Sequence, residues 1–221
     1  MARSSPPWRR ATVAHRAFTG LPIEGIEFYE QLTADNAKAF WQANKPRYDE
    51  HVKAPMVALG DALDEYGPFH VFRPHNDLRF SKNKPPYKTA QGMYGELEGG
   101  AGCYVQVSAE GLMGGGGYYA WAKDQLERMR RAIDEEHRGV ELEEALEAAT
   151  SSGVELRGDA LKTAPRGFPK DHPRIELLRL KQVLLMHPLP RGKAVDRAPF
   201  DHALETWRAA KPVVDWMSAH V

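Results

Sequence analysis

The sequence predicts an α+β fold: short amino-terminal helices, a mostly antiparallel β-sheet with a glycine-rich region, and further helices packed against that sheet. Three observations carry this expectation. Apolar residues recur at helical spacing before Tyr66 and again after Ala120. Ten of the 19 glycines fall between Gly92 and Gly117, where they disfavour helix. In and just before that stretch, apolar and polar residues alternate with the period of a strand.

Each element follows in order. Met1 to Ala17 carries Arg3, Arg9, Arg10 and Arg16, the Pro6-Pro7 pair and few apolar residues, so residues 1–17 are expected to form a disordered basic tail. Residues 18–221 are expected to form a single α+β domain. Phe28 and Leu32, at i and i+4, give a first helix, and Thr33 to Asn36 supplies turn and cap residues. Phe40, Trp41 and Asn44 belong to a second helix that should stop at Lys45-Pro46, with Pro46 opening a third around Tyr48 and Val52. Pro55 restarts the pattern with Met56, Leu59 and Leu63, and Gly67-Pro68 ends it.

Phe72 to Ser81 reads as a strand, with Leu78 and Phe80 on one face and Asp77, Arg79 and Ser81 on the other. Cys103 to Ser108 reads as another, with Cys103, Val105 and Val107 opposite Tyr104, Gln106 and Ser108. Ala109-Glu110-Gly111 then turns the chain into a strand beginning at Leu112. Leu126, Met129 and Ile133 share one helix face, and Leu142, Ala145 and Leu146 another. A loop-rich stretch follows Gly153. Ile175 to Leu180 reads as a helix, Gln182 to His187 as a strand, and Pro199 to His220 as a closing helix with Leu204, Trp207, Val214 and Met217 inward.

Composition narrows the function classes. Of 221 residues, 42% are hydrophobic, enough for a core without disulfide or metal staples. Thirty Lys and Arg balance thirty Asp and Glu, so the chain as a whole is no general polyanion binder. A single cysteine, Cys103, excludes an internal disulfide framework and a cysteine-rich zinc site. The longest apolar run, Tyr118 to Ala122, is five residues, too short to span a bilayer. No amino-terminal segment resembles a secretory signal, so the expectation is a soluble cytoplasmic protein with no membrane partner.

The P-loop, the dinucleotide fingerprint, the nucleophile elbow, the paired-histidine zinc helix and the paired-cysteine motif are all missing from the sequence, and nothing calls for a cofactor. The densest chemical signal is Arg73 to Lys88. Arg73, Arg79, Lys82, Lys84 and Lys88 stand against Asp77 alone, a local +4 in a neutral chain, with hydroxyls from Ser81 and Tyr87. Forked Arg donors beside Lys point charges suit phosphate or carboxylate ligands, and Asp77 can orient Arg79. The structural alternative is a solvated strand end whose charges prevent edge pairing. Gly114 to Gly117 either cradles an anion with its N–H groups or lets another element cross closely. Pro165-Arg166-Gly167-Phe168 with Asp171-His172-Pro173 brings a cation, a carboxylate and an imidazole together in sequence, as an acid–base group or as a helix cap. His70, His75 and Asp77 are the nearest approach to a metal cluster, and their spacing matches no metal motif, so no metal is expected.

Five separated motifs resemble a known family. They are F-T-G-L-P at Phe18 to Pro22, N-x-x-x-F-W-x-x-N-K-x-x-Y at Asn36 to Tyr48, R-x-x-x-D-x-R-F-S-K-x-K-x-P-Y-K-T at Arg73 to Thr89, the glycines around Gly115, and P-R-G-F-x-x-D-H-P followed by Leu177, Leu178 and Lys181. In this order they are similar to the bacterial and fungal family called domain of unknown function 2461, over about Phe18 to Leu189. The resemblance implies a boundary and a set of positions but no reaction. The family pattern usually has Arg where this chain has Asn76 and commonly a second Asn where it has Ala37, so one cation of the family's basic segment is missing here.

Two functions of different class follow. The first is a binding site or enzyme for an anionic, phosphorylated small molecule. It would be held by Arg73, Arg79, Lys82, Lys84 and Lys88, oriented by Ser81 and Tyr87, with Asp77 positioning Arg79 and with Arg166, His172 and Lys181 joining if the fold brings them alongside. The second is a non-catalytic interaction module in which the same segment meets an acidic protein or nucleic acid. The sequence carries no recognised nucleic-acid motif, which favours the small anionic ligand.

Overall fold

A computed structural model of the chain describes residues 18–77, 79 and 84–221. The basic tail of residues 1–17, and Ser81 and Lys82 of the basic segment, lie outside the described residues. The fold is the mixed helix-and-sheet class that the patterning predicts: helices around one six-stranded antiparallel sheet. Helices α1 (Ile23–Ala34), α2 (Lys38–Tyr48) and α3 (Ala54–Ala62) come first, followed by strands β1 (Phe69–Val71), β2 (Ala90–Glu96), β3 (Gly102–Ser108) and β4 (Gly111–Tyr118). Then come α4 (Lys123–Asp134), α5 (Glu136–Ser151), β5 (Glu155–Arg157), α6 (Ile175–Leu178), β6 (Val183–Pro190) and α7 (Ala198–His220). The strand order is β1-β2-β3-β4-β6-β5. Phe69 pairs with Gly95 and Val71 with Met93 at one end, and Glu155 with Met186 and Arg157 with Leu184 at the other.

The chain forms two compact units. One comprises the described residues of Met1–Leu97 with Cys103–Gly114 and Pro188–Leu204, and the other Glu98–Gly102, Gly115–His187 and Glu205–Val221. The first is built on an aromatic core. The Phe28 ring lies 5.3–6.0 Å from those of Tyr29, Phe40, Trp41 and Tyr48. Val52, Met56, Leu59, Met93 and Val105 are buried with them. In the second unit the expected helix faces are inward: Met129, Ile133 and Leu142 are buried, Leu126, Ala145 and Leu146 half-buried. Strand β3 shows the expected alternation, Cys103, Val105 and Val107 buried and the residues between them half-buried.

Pro46 does not end a helix. Helix α2 runs through it to Tyr48 and continues by a π-helical turn, Asp49–Lys53, into α3. Pro46 sits on an exposed face, so the backbone bond it removes leaves a carbonyl with water to accept from. The π turn alters the phase of the helix. At about 100° per residue, an unbroken α-helix would place Lys53 about 120° from Trp41, and the extra residue of a π turn takes back most of that difference. Trp41, Lys45, Tyr48 and Lys53 therefore share a face.

The strand expected at Phe72 to Ser81 lies earlier, at Phe69–Val71. Pro74 has no N–H for a ladder, and its carbonyl instead accepts the Lys88 N–H at 2.8 Å. Beyond Phe72 the described residues form the base of a loop, closed by an isolated antiparallel bridge between His75 and Tyr87. A short strand, β5, occupies part of the stretch read as loop, and β6 extends past His187 to Pro190.

The Gly114–Gly117 run is interior strand, buried at all four glycines, and not an anion cradle. The Trp207 indole N–H donates to the Gly115 carbonyl at 2.8 Å, and a Cβ on Gly116 would touch Trp207 and Ala210 of α7. Those Cβ contacts are ordinary; the close approach is to β6, where a Cβ on Gly115 would lie 2.7 Å from Met186 Sδ and one on Gly117 would collide with the Val183 carbonyl oxygen. Gly25 plays the same part in the first unit, where a Cβ would collide with the His51 carbonyl oxygen of the π turn. Gly25→Ala is therefore expected to lower unfolding stability by about 1–3 kcal/mol. Urea denaturation measures it, and an unchanged midpoint would show that α1 does not need this close approach.

Candidate functional site

In the first unit, the helical segment and the loop after β1 enclose a cavity of about 790 Å³. Trp41, Tyr48, Val71 and Phe72 supply its apolar lining, and Trp41 and Tyr48 are the deep members, 5% and 3% exposed. Lys45, Lys53, Arg73 and Lys88 bring four cations to the same space, with His70, His75 and Asp49 beside them. Asp49 already forms an ion pair with Lys45. Lys53 and Lys88 have no carboxylate partner among the described residues.

Two stretches far apart in sequence are fixed to one another here. The Asn36 side chain donates to the Tyr87 carbonyl and accepts the Tyr87 N–H, both at 3.0 Å, as a neighbouring strand would. The Tyr87 ring stacks on Trp41 with centroids 4.3 Å apart and planes 9° apart, and His75 packs against both. Deeper, the Tyr48 hydroxyl donates to Gln91, whose amide donates to the Phe72 carbonyl at 2.7 Å and the Gly92 carbonyl at 3.0 Å. Tyr48 is thereby held neutral, burial pushing its phenol above the ordinary value.

Of the residues expected to bind ligand, Arg73 and Lys88 line the cavity, and Tyr87 is buried as structural support beside it. Lys88 is half-buried, its Nζ 5.3 Å from the Phe72 ring centroid. Burial lowers its pKa, and the Arg73 charge adds to the effect. Asp77 holds Arg79 in a two-point pair: Nε to Oδ1 at 3.0 Å and Nη2 to Oδ2 at 2.6 Å. The Arg79 N–H also donates to Asp77 Oδ1, and Arg73 stands 3.7 Å away. The Arg79 hydrogen bonds, with the charges of Arg73 and Lys84 behind them, bring the Asp77 carboxyl from its ordinary 3.8 down to about 2. Lys84 is exposed on the same loop.

Arg166, His172 and Lys181 belong to the other compact unit. Arg166 and Lys181 are exposed there. His172 is committed on both ring nitrogens: Nδ1 accepts the Arg174 N–H at 3.0 Å, which leaves Nε2–H to donate to Asp134 at 3.2 Å. Arg174, whose side chain is 5% exposed, reaches Glu143 and Glu136 at 2.8 and 3.0 Å. His172 and Arg174 of this second motif clamp the α4–α5 corner, while Asp171 is exposed. Among the described residues, no group of three or more His, Cys, Asp and Glu is placed to hold a metal. Cys103 is buried, and burial pushes its thiol well up, away from the reactive thiolate.

Sequence reading missed Lys45 and Lys53, and weighed His70 and His75 only as metal ligands. The signal was the spacing of Trp41, Lys45, Asp49 and Lys53, four apart each time, which the assumed helix break at Pro46 concealed.

The profile of the conserved hypothetical proteins DUF2461 matches residues 24–216. The chain belongs to the DUF2461 family. No curated protein and no solved structure matches it. The two longest DUF2461-like motifs of the sequence, Asn36 to Tyr48 and Arg73 to Thr89, supply most of the cavity lining. At the two departures, Asn76 clips the loop by donating to the Pro85 carbonyl at 2.8 Å, and Ala37 is an exposed residue before α2.

Asn36→Ala is expected to cost about 1–3 kcal/mol, because both backbone groups of Tyr87 lose their partner. Chemical denaturation checks this, and a loss below the error of the midpoint would mean that water replaces the amide. Asp77 provides a pH test. Its folded pKa is depressed, so its contribution to stability is fully present above the ordinary carboxylate value and is lost as pH falls toward 2. Carboxyl NMR titration should place the Asp77 midpoint near 2, and a midpoint near 4 would show that the Arg79 clasp does not form in solution.

Proposed function

We propose that the chain binds an anionic small molecule of the phosphorylated class in the Trp41–Lys88 cavity, as a binding protein or as an enzyme acting on that molecule. One observation carries the reading: four cations meet over buried aromatic rings in a concave site, and the lone carboxylate of the lining is already taken by Lys45. Like charges gathered in a concavity with apolar walls raise the local concentration of anions, and an anion entering relieves their repulsion. The aromatic lining favours a ligand that carries a flat or apolar portion beside its anionic group. A concave site also supports a small ligand over a macromolecular partner, which needs a broad face. Arg73 and Lys88 keep the binding role expected of them, Lys45 and Lys53 join them, and Asp77 with Arg79 forms a loop clasp beside the site.

Calorimetric titration with phenyl phosphate and with inorganic phosphate tests the reading. Phenyl phosphate is expected to bind the more tightly, and the Lys53→Gln/Arg73→Gln double variant to lose roughly ten- to hundred-fold in affinity, as for removal of charge-assisted hydrogen bonds. Equal affinity of the variant would remove the cavity from consideration. Binding of an oligonucleotide with a steep salt dependence, and of neither phosphate, would favour the interaction module instead.

A further inference from the structure

Among the three lysines of the cavity, Lys88 stands apart in three respects. It is half-buried, whereas Lys45 and Lys53 are exposed. Its Nζ lies against the Phe72 ring, a contact neither of the others makes among the described residues, and, like Lys53 but unlike Lys45 with its Asp49 partner, it has no carboxylate within ion-pair distance there. Its backbone is held at both ends of the loop base, by the Lys88 N–H donating to Pro74 and by the clamped Tyr87 just before it. The charged and titratable groups that line the cavity with it are Arg73, Lys53, Lys45 with Asp49, Tyr48, His70 and His75, in which three cations stand against one carboxylate.

We infer that Lys88 is a reactive amine and that the ligand class of this site is an anionic aldehyde or ketone, which Lys88 takes as an imine. The inference rests on the anion-binding reading above and adds the carbonyl to it. A lysine is a nucleophile only as the neutral amine, and apolar surroundings with a neighbouring cation favour that form. The lowered pKa of Lys88 has both of these causes. Arg73 and Lys53 hold the anionic group while the Nζ lone pair attacks the carbonyl carbon. A C–N bond forms, the C–O bond breaks, and the oxygen leaves as water carrying the two protons lost by the amine. No oxidant or reductant is consumed. The open cavity lets that water leave.

The probe is 4-formylphenyl phosphate, which carries a ring, a phosphate and an aldehyde, with 4-(hydroxymethyl)phenyl phosphate as its non-reacting counterpart. The full-length protein is incubated with the aldehyde at neutral pH, reduced with borohydride and mapped by peptide mass spectrometry. Lys88 should be modified at least tenfold faster than Lys45, Lys53 or Lys84, with a labelling pH profile displaced to lower pH than theirs. Lys88→Arg, which keeps the charge and should keep the fold, should abolish that adduct while still binding the alcohol. If labelling simply follows exposure, so that Lys45 and Lys53 react as fast as Lys88, the inference is overturned. Should the alcohol bind and Lys88 stay unmodified, the imine is excluded and the anion site survives. Should neither compound bind, both fall.

Discussion

The stack of Tyr87 on Trp41, locked by the Asn36 amide, holds the rest of the first unit's site in place. An aromatic pair of this kind contributes about 0.5–1.5 kcal/mol beyond the area it buries, and the two amide hydrogen bonds add about the same again each. Those are modest energies, yet they join residues 51 positions apart in sequence. The loop after β1 closes its own base through the Lys88 N–H to Pro74 and Asn76 N–H to Pro86 bonds, and the stack and the amide join that base to α2. Gln91 makes the connection redundant by tying Tyr48 of α2 to the Phe72 carbonyl of the loop from beneath. A buried amide satisfied on three sides is costly to disturb, so it specifies one arrangement of these rings.

Much of this was legible in the sequence, and what was not has physical reasons. The alternation Cys103, Val105, Val107 yielded β3 correctly because one face of that strand is buried and the other is not. Phe72 to Ser81 alternates equally well but is not strand over its described part, because Pro74 removes a ladder donor and Asp77 turns back on the Arg79 N–H. Periodicity cannot distinguish the two cases; the proline can. Pro46 was the opposite error. On an exposed helix face a missing N–H has water as its remedy, and the π turn that follows recovers the phase, so Lys53 shares a face with Trp41 despite Pro46. Arg73, Tyr87 and Lys88 were found through local charge and hydroxyl density. Lys45 and Lys53 were missed because they sit in a segment of ordinary composition and acquire their meaning only from the face they share.

The Pro165 to Arg174 motif shows how the same residue types serve opposite ends. His172 looks as chemical in sequence as Arg73 and Lys88, and Arg174, just past the motif, joins it in the structure. In the folded chain every polar contact of His172 and Arg174 is made within their own unit: the imidazole has both nitrogens engaged and the guanidinium meets two glutamates. Gly139 completes the clamp, since a Cβ there would lie 2.6 Å from Arg174 Nε. A fully satisfied polar network gives rigidity and leaves no valence for a ligand. Lys53 and Lys88 differ on that one point, having no carboxylate partner among the described residues.

That contrast bears on how a chain of zero net charge can hold the anion site proposed for it. Charge balance over the whole sequence says nothing about where the balance is struck. Asp77 is spent mainly on Arg79, Asp49 on Lys45, and Glu136 and Glu143 on Arg174. Within the cavity, among the described residues, these pairings leave over Lys53 and Lys88 with a weakly held Arg73, 3.7 Å from a carboxylate that favours another partner. These three converge on one cavity with aromatic walls, where water screens charge less well than at an open surface. Gathering them there costs stability, which the hydrogen bonds of Asn36 and Gln91 offset elsewhere in the unit. A fold that maintains such an arrangement gains nothing from it in isolation and gains most when an anion is present. The uncompensated charge is therefore the feature of the molecule that points most directly to a ligand.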